Sequence, residues 1–542
     1  MTETKATSGG LAHHGLVMAA GSLVSRITGF GRTVVIAAAL GATVLGNSYT
    51  TAQYFPQMIY EVVLGGVLTS VLVPLIVRAR KNDADGGEAF THRLLTLCVL
   101  ALAAATVCLT AAAPLLAAAA GGAENRDLIT SLSYFMLPAI FFYGMCALTQ
   151  AVLNTRDSFA APMWAPIVNN VVIIAVGLVF FTMYTSDEAI AADDVTTSMV
   201  LLLGLGTLSG LVFQALILLP AARKVGFRWK WRFDFRQLHL SHIAKLGGWI
   251  FCYVALNQVS MVVLIKVANL AADSSPDEQA KLGPIIYNNA YLIMMMAHGI
   301  VAVSIITALM PRLSAAADDG RYEDLKDDLS GSMRMSTLLL TPIAVGYAAL
   351  GIPLAVLLFG WGAYTDEAAS VTGVVIALAG IALIPFAVSQ LQIFAFYSMT
   401  DGKTVALINI PVATLRMAAS GLAFVLLPVE HVVAGLMAAN GLSYVLAVVL
   451  STVFLRRRIG PLGMRRIVTS WTKQLIAAAA ALIAVWSALL ALPGADAGRI
   501  SQIWVLAAGG AVLLVVYFGA AYLLRLGEIT QAVRTVRAKF GR

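Results

Sequence analysis

Charged side chains are scarce in this sequence. They make up 12% of the 542 residues, whereas hydrophobic residues make up 59%, a composition far from that of a soluble domain. Apolar segments of about 20 residues or more, long enough to cross a bilayer, follow one another along the chain. We therefore predict an all-α polytopic membrane protein with fourteen transmembrane helices. The predicted spans are residues 12–40, 48–77, 94–118, 128–153, 159–184, 197–221, 242–271, 284–311, 333–360, 369–397, 404–427, 432–455, 468–492 and 501–524.

Motifs for metal binding, redox chemistry and catalysis are also missing from the sequence. The four cysteines all fall within predicted spans, and no CxxC pair or Cys/His cluster occurs, which argues against structural zinc and redox activity. A Walker A loop, HExxH and GxSxG are absent, and no loop is long enough to hold a sugar nucleotide with its metal. We expect no catalytic residue, no metal and no cofactor, and therefore predict that the protein is not an enzyme.

Basic residues are distributed unevenly between alternate loops. With the N-terminus in the cytoplasm, most Lys and Arg residues fall in cytoplasmic loops, and the opposite loops hold only Arg126, Lys281 and Arg499. This asymmetry is the sequence signal that sets membrane topology. We predict a multi-pass protein of the cell membrane with both termini cytoplasmic and an external loop at 185–196.

One basic loop, RKVGFRWKWRFDFRQ at residues 223–237, also contains aromatic residues. Interleaved bases and aromatics occur in RNA-binding segments. At the end of a membrane helix, the same pattern is more typical of an anchor on anionic lipid. We predict contact with membrane lipids and no nucleic-acid partner.

Two halves of the chain resemble each other. The second predicted helix, YTTAQYFPQMIYEVVLGGVLTSVLVPLIVRA, and the eighth, YNNAYLIMMMAHGIVAVSIITALMPRLSA, both begin with a polar, Tyr-containing turn and end at a proline, Pro74 or Pro311. The alternative is that helices of similar composition look alike. A repeat of six helices predicts two lobes in the same orientation with a site between them. The predicted domains are an N-lobe at 1–221, a basic cytoplasmic linker at 222–241, a C-lobe at 242–455, helices thirteen and fourteen at 456–525, and a basic cytoplasmic tail at 526–542.

Apart from Lys245, Arg334 and Lys473, which we count with the cytoplasmic loops, five charged residues lie within the predicted spans: Arg26, Arg32, Glu61, Lys266 and Arg416. A charge at mid-membrane depth costs about 2.5–3.5 kcal/mol on insertion scales, so such residues should face protein or water and mark function. Because four of the five are cations, we expect an anionic substrate. Guanidinium groups bind diphosphate oxygens through planar, charge-assisted bonds, so Arg26 and Arg32 are the predicted substrate-binding residues.

The remaining intramembrane polar residues permit structural interpretations. Glu61 could pair with Arg26 or Arg32 and tie two helices together. Lys266 and Arg416 could extend to the interface or hydrogen-bond backbone carbonyls, and His298 could be a packing residue instead of a proton relay. The residues predicted to line a cavity on polarity alone are Asn47, Gln57, Glu61, Asn257 and His298.

Four separated segments together resemble one known family. They are SRITGFGRTVVIAAALGA, GGVLTSVLVPLIVRARK, LNTRDSFAAPMWAPIVNN and NNAYLIMMMAHGIVAVSIITALMPRLS. In this order they are similar to the MurJ/MviN family of lipid II flippases, in particular to its actinobacterial members, over roughly residues 12–525. This family belongs to the multidrug/oligosaccharidyl-lipid/polysaccharide exporter superfamily.

The resemblance implies a fold and a cargo. It implies two six-helix lobes around a cationic cavity, with helices thirteen and fourteen forming a groove for a lipid tail. The implied cargo is lipid II, undecaprenyl-diphosphate carrying the peptidoglycan disaccharide-pentapeptide, or a related polyprenyl-diphosphate glycolipid. The family's essential first-helix arginines map onto Arg26 and Arg32. A bacterial cell membrane and cell-wall synthesis proteins as partners are also implied.

Several positions depart from the family pattern. They are Thr33 and Asn47, which stand at acidic positions, Tyr60 and Glu61, which stand at paired basic positions, and Tyr291, which lies near a basic position on helix eight. Tyr291 is therefore added to the predicted cavity lining. Some members bind sodium through carboxylates on helices seven and eleven, where this chain has Lys266 and Arg416, so sodium coupling is not expected.

Two other functions fit the topology. A drug or metabolite antiporter of the same superfamily would need a proton or sodium site, for which Glu61 offers the only intramembrane carboxylate. The second alternative, a non-transporting scaffold for cell-wall enzymes, would not explain why arginines lie within the membrane spans. We predict a lipid-linked oligosaccharide flippase that works by alternating access.

Overall fold

A computed structural model describes residues 4–62, 76, 79–81, 83, 85–156, 158–184, 190, 194–235, 240–275, 282–490 and 498–529, with side chains from Ala20 in the first helix and from Gly248 in the ninth. Within these ranges the chain forms sixteen helices and no strand. The helices are α1 Thr4–Leu40, α2 Val44–Tyr60, α3 Glu88–Ala111, α4 Ala113–Ala120, α5 Arg126–Met136, α6 Ala139–Asn154, α7 Ala160–Tyr184, α8 Thr197–Lys224, α9 Leu240–Asp273, α10 Pro284–Asp318, α11 Tyr322–Phe359, α12 Asp366–Ser398, α13 Gly402–Leu426, α14 Val429–Ile459, α15 Met464–Leu489 and α16 Arg499–Leu523.

The helices confirm the predicted class of all-α polytopic membrane protein. Among the described residues, thirteen segments are long and apolar enough to cross a membrane, and each overlaps one predicted span. The remaining span, predicted at 48–77, begins within α2, and most of its second half lies outside the described residues.

Two predicted spans are interrupted, which the sequence analysis did not anticipate. The span predicted at 94–118 breaks at Ala112, between α3 and α4, because Pro114 in the first turn of α4 has no N–H to continue the ladder of α3. The span predicted at 128–153 breaks between α5 and α6 at Pro138 for the same reason. Both breaks leave carbonyls at helix ends that other groups can bind.

Short polar side chains fix where several helices begin. Thr43, Thr196, Thr365 and Asp401 each accept a hydrogen bond from a backbone N–H three residues further on. Such caps satisfy donors that a helix leaves unpaired and contribute about 1 kcal/mol each. They therefore set helix boundaries in segments that are otherwise uniformly apolar.

The chain divides into two compact units. The first contains residues 1–281 together with 362–364. In it α1 packs along α7, while α2, α5 and α8 surround a core that includes Leu45, Leu132 and Leu203. Helix α9, which the sequence analysis grouped with the C-lobe, belongs to this unit by its contacts.

The second unit contains residues 282–361 and 365–542. Helices α11 and α12 pack along each other, and α10, α13 and α14 pack around them. Helices α15 and α16 cover α11 through a core that contains Leu338, Val345 and Tyr517. The Tyr517 hydroxyl donates to the Leu338 carbonyl at 3.0 Å, which fixes α16 against α11.

Candidate functional site

The two arginines of α1 are positioned by the packing of α1 on α7. Asn170 of α7 donates its amide to the Ser25 carbonyl and to the Thr28 hydroxyl, both at 3.1 Å. A side chain at Gly29 would place its Cβ 3.4 Å from the same amide. Gly29 thus lets the two helices approach closely, which is the packing use of glycine in membrane helices.

Within the described ranges, no carboxylate pairs with either arginine. Arg26 is exposed and Arg32 is half-buried. Among the described residues, the ion pairs involve other side chains, and no hydrogen bond of either guanidinium is found. Arg32 interacts electrostatically with the phenols of Tyr49, which is buried, and Tyr143, which is half-buried.

Glu61 has partners other than the arginines. The Gln258 side chain of α9 donates to its Oε2 at 2.6 Å, and the Gln57 side chain also hydrogen-bonds it. The proposed tie between Glu61 and an arginine is therefore absent from the described residues. Asn257, the neighbour of Gln258, donates instead to the Tyr253 carbonyl of its own helix at 3.0 Å.

Asn47 lies in the first turns of α2 and is fully buried. Its backbone carbonyl accepts a hydrogen bond from the Thr51 hydroxyl at 2.9 Å. This placement puts Asn47 inside the packed core of the first unit. Glu61 and Gln57, in contrast, are exposed at the other end of α2.

Lys266 binds the end of a helix. Its ammonium donates to the Ala118 carbonyl at 3.3 Å and to the Gly121 carbonyl, at the C-terminus of α4. A cation at this end also interacts favourably with the helix dipole. Lys266 therefore donates to backbone carbonyls, which is one of the two structural interpretations that the sequence analysis offered for it.

The sequence analysis did not single out Asn269 and Asp273, which extend this contact. The Asn269 amide donates to the Ala120 carbonyl at 2.8 Å, and the Asp273 carboxylate accepts from the Ala123 and Glu124 N–H groups. Lys266, Asn269 and Asp273 are spaced three and four residues apart, so they share one face of α9. That spacing was the available signal for a shared role.

Arg416 is satisfied within the second unit. It is 9% exposed, its Nε donates to the Ser443 hydroxyl at 3.2 Å, and its guanidinium lies 5.4 Å from the Tyr444 ring centroid. The Ser443 hydroxyl in turn donates to the Asn440 carbonyl at 2.7 Å. A hydrogen bond and a cation–π contact therefore compensate part of the cost of burying this charge.

Tyr291 and His298 lie on α10, near this cluster. Tyr291 stacks on Tyr287 with 5.9 Å between ring centroids and hydrogen-bonds the Tyr444 hydroxyl. His298 is buried, and its ring lies 4.6 Å from that of Phe386. Aromatic contacts surround both residues, consistent with a packing role for His298.

The part of the chain that the structure describes contains no set of residues suited to bind a metal ion. No group of three His, Cys, Asp or Glu side chains is positioned there to hold an ion. Cys98, Cys108, Cys146 and Cys252 are all free thiols.

The fold and these intramembrane cations define a polytopic membrane transporter. Solved structures with the same fold include a multidrug resistance transporter of the MATE family, from the MOP superfamily, in an inward-facing conformation. It is 14% identical with a TM-score of 0.61, and the match covers 81% of this chain and 95% of that one. A lipid II flippase MurJ in an inward closed conformation matches with a TM-score of 0.71 at 18% identity, covering 93% and 99% of the two chains.

The family follows from the sequence. The profile described as lipid II flippase MurJ matches residues 36–494, so this chain belongs to the MurJ family of lipid II flippases. The lipid II flippase MurJ of Burkholderia cenocepacia is 25% identical over 93% of this chain and 95% of its own. The probable lipid II flippase MurJ of Buchnera aphidicola subsp. Baizongia pistaciae is 25% identical over 73% and 74%. Members of this family are membrane transporters, not enzymes.

Proposed function

We propose that this protein moves lipid II from the inner to the outer leaflet of the bacterial cell membrane by alternating access. Membership of the MurJ family supports this cargo. The observation that carries the proposal is the pair of α1 cations, Arg26 and Arg32, which have no ion pair among the described residues. An intramembrane cation without a protein counter-ion is suited to an anionic ligand.

In this proposal Arg26 and Arg32 bind the diphosphate of the lipid. Six residues of helix separate them by about 9 Å along the axis and about 120° around it, so they contact different oxygens. Each guanidinium can form two parallel N–H···O bonds to a phosphate. Glu61 does not compete for them, because Gln57 and Gln258 occupy its carboxylate.

Depletion of the protein tests the cargo directly. We expect lipid II to accumulate in the inner leaflet of depleted cells and to reappear externally when the wild-type gene is restored. External lipid II can be measured with an impermeant lipid II-cleaving enzyme. Unchanged external lipid II after depletion would exclude the proposed function and leave the antiporter or scaffold alternatives.

The proposal requires cytoplasmic termini and an external loop at 185–196. A cysteine at Ser186, introduced after the native cysteines are replaced, should react with an impermeant maleimide in intact cells. A cysteine at Gly86 is the matched control and should react only after lysis. The reverse pattern would invert the topology.

We further propose that α15 and α16 contact the prenyl tail. Their inner faces pack on α11, whereas Trp486 and Trp504 are 55% and 67% exposed. Apolar outward faces suit a hydrocarbon chain, which gains nothing from polar contacts. A photoactivatable prenyl lipid should crosslink at Trp486 and Trp504, and capture of proteins alone would argue for a partner surface instead.

A further inference from the structure

A cavity of about 620 Å³ lies in the first unit, away from the arginines of α1. Its walls come from α3, α6 and α8 and include Leu95, Val99, Leu148 and Val152. The non-helical segment 225–235, which we call the strap, closes one side through Phe227 and Trp229. The volume falls within the range of about 300–1,000 Å³ that is typical of ligand sites.

The mouth of this cavity is cationic. Arg223, at the end of α8, and Arg228, in the strap, both line it and are exposed. No carboxylate is present among the residues that line it. The cavity therefore combines an apolar interior with two positive charges at its entrance.

The strap is fixed to the helices beside the cavity. Arg156 donates to the Val225 carbonyl at 2.8 Å, and the Lys230 N–H donates to the His92 ring at 3.4 Å. Arg93 forms an ion pair of 2.6 Å with Asp234, the one acidic residue of the strap. Because Arg93 occupies this carboxylate, the arginines at the mouth have no acidic neighbour within the strap.

Aromatic residues of the strap extend outward beside the same entrance. Trp231 and Phe233 are 56% and 65% exposed, and their rings stack with centroids 6.2 Å apart. Exposed aromatic rings next to basic residues at the end of a membrane helix are typical of the membrane–water interface. The helices that form the walls, α3, α6 and α8, are all parts of membrane-spanning segments.

We propose that this cavity binds one anionic glycerophospholipid of the surrounding membrane, with an acyl chain inside and its phosphate on Arg223 and Arg228. Basic pockets between transmembrane helices bind anionic headgroups in this way. A free phosphate would leave the apolar walls unused, whereas an acyl chain removes them from water or from loosely packed lipid. The bound lipid is a component of the protein's environment, so the site is independent of the transported cargo.

Fluorescence quenching by brominated lipids tests this proposal. The full chain is placed in nanodiscs of phosphatidylcholine that contain phosphatidylglycerol brominated on its acyl chains, with brominated phosphatidylcholine as the comparison. The emission of Trp229 is obtained by subtracting the spectrum of Trp229→Phe. We expect Trp229 to be quenched at lower mole fractions of phosphatidylglycerol than of phosphatidylcholine.

Separate variants can remove the positive charges at the mouth of the cavity and fill its apolar interior. The double variant Arg223→Gln/Arg228→Gln should weaken phosphatidylglycerol binding about 30-fold, at roughly fivefold for each lost base. Lys224→Gln removes one positive charge from the neighbour of Arg223. Because Lys224 does not line the cavity, this variant should leave binding unchanged. Thr149→Phe fills the cavity and should abolish quenching of Trp229 although both arginines remain. Near-ultraviolet circular dichroism confirms that each variant is folded.

Three outcomes overturn the proposal. Equal quenching by both brominated lipids would reduce the cavity to a non-selective apolar crevice. Equal losses from Lys224→Gln and from the double variant would indicate a diffuse surface charge. An unquenched Trp229 that is also shielded from acrylamide would show that a protein segment fills the cavity.

Discussion

The intramembrane cations of this protein fall into two groups that the fold treats differently. Lys266 and Arg416 are each held by protein groups: carbonyls at a helix end in the first case, and a hydroxyl with an aromatic ring in the second. Arg26 and Arg32 have no hydrogen bond to a described residue, although Arg32 is half-buried. The sequence alone does not show which groups, if any, contact each of the four cations.

The difference separates structure from function. A buried cation that protein dipoles satisfy contributes to stability and has little left to offer a ligand. Placing a cation within the membrane costs free energy, and where the fold gives it no partner, only a bound ligand or water can stabilise it. The first group should therefore affect folding when it is mutated, and the second should affect transport.

The largest expected effect is loss of transport in the α1 arginine variants. Arg26→Ala and Arg32→Ala should each lower lipid II flipping by about tenfold to a hundredfold, because a charge-assisted hydrogen bond contributes about 1.5–3 kcal/mol. The double variant should be inactive. Arginine to lysine keeps the charge but loses the planar fork, so intermediate rates are expected. Growth rescue and external lipid II in a depleted strain measure the effect.

The same variants should leave stability unchanged, which is the control for this prediction. Their membrane levels and thermal unfolding midpoints should match the wild type, since neither arginine has a hydrogen bond or an ion pair with a described residue to lose. If the double alanine variant flips lipid II normally, the diphosphate role is wrong. If the variants instead unfold at lower temperature, the arginines belong to the structural group.

Lys266 should show the opposite behaviour. Lys266→Met removes both hydrogen bonds to the end of α4 and should destabilise the protein by about 2 kcal/mol. Gly122→Ala should have a similar effect, because its Cβ would collide with the Asp273 carboxylate that holds the same turn. Unfolding midpoints in detergent measure both changes. Specific transport per folded molecule should stay near normal, and its loss at unchanged stability would reassign Lys266 to the functional group.

Arg416 should have a smaller effect on stability than Lys266. Arg416→Met loses the Ser443 hydrogen bond and the contact with Tyr444, but it also removes the cost of burying a charge. We expect a net loss of about 1 kcal/mol, and Arg416→Lys should recover part of it by keeping the cation near the ring. Double-variant comparison with Tyr444→Leu checks the ring contact, because additive losses would contradict it.

The sequence predicted the helices well because each is a long apolar run, and it failed where a local feature interrupts such a run. Pro114 and Pro138 break two spans, although their neighbours are as apolar as those of a continuous helix.

For the candidate site, the sequence predicted which residues take part but not which residues they contact. Gln258 and Glu61 are 197 residues apart, and no periodicity along the chain reveals that they meet. The shared face of Lys266, Asn269 and Asp273 was readable from spacing, but the turn it binds was not.

The smallest expected effect concerns the ion pair between Arg93, near the start of α3, and Asp234 of the strap, which lies outside the membrane spans. The hydrogen bond from Arg93 lowers the pKa of the Asp234 carboxyl below its ordinary value. A lowered pKa means that the contact stabilises the folded strap above about pH 4 and is lost as the pH falls through the lowered value.

The Asp234 side chain is 47% exposed, so solvent screens the interaction and the change should be confined to the strap. Acidification from pH 6 to pH 3 should shift the emission of Trp229 and Trp231 to longer wavelength. Asp234→Asn should show part of that shift already at pH 6 and respond less to acid, because it has no proton to gain. Glu430→Gln, at an exposed carboxylate of the second unit, should behave as the wild type does. An identical acid response in Asp234→Asn and the wild type would contradict the role of the ion pair and would point to another titrating group, such as the His92 ring, which accepts a hydrogen bond from the strap.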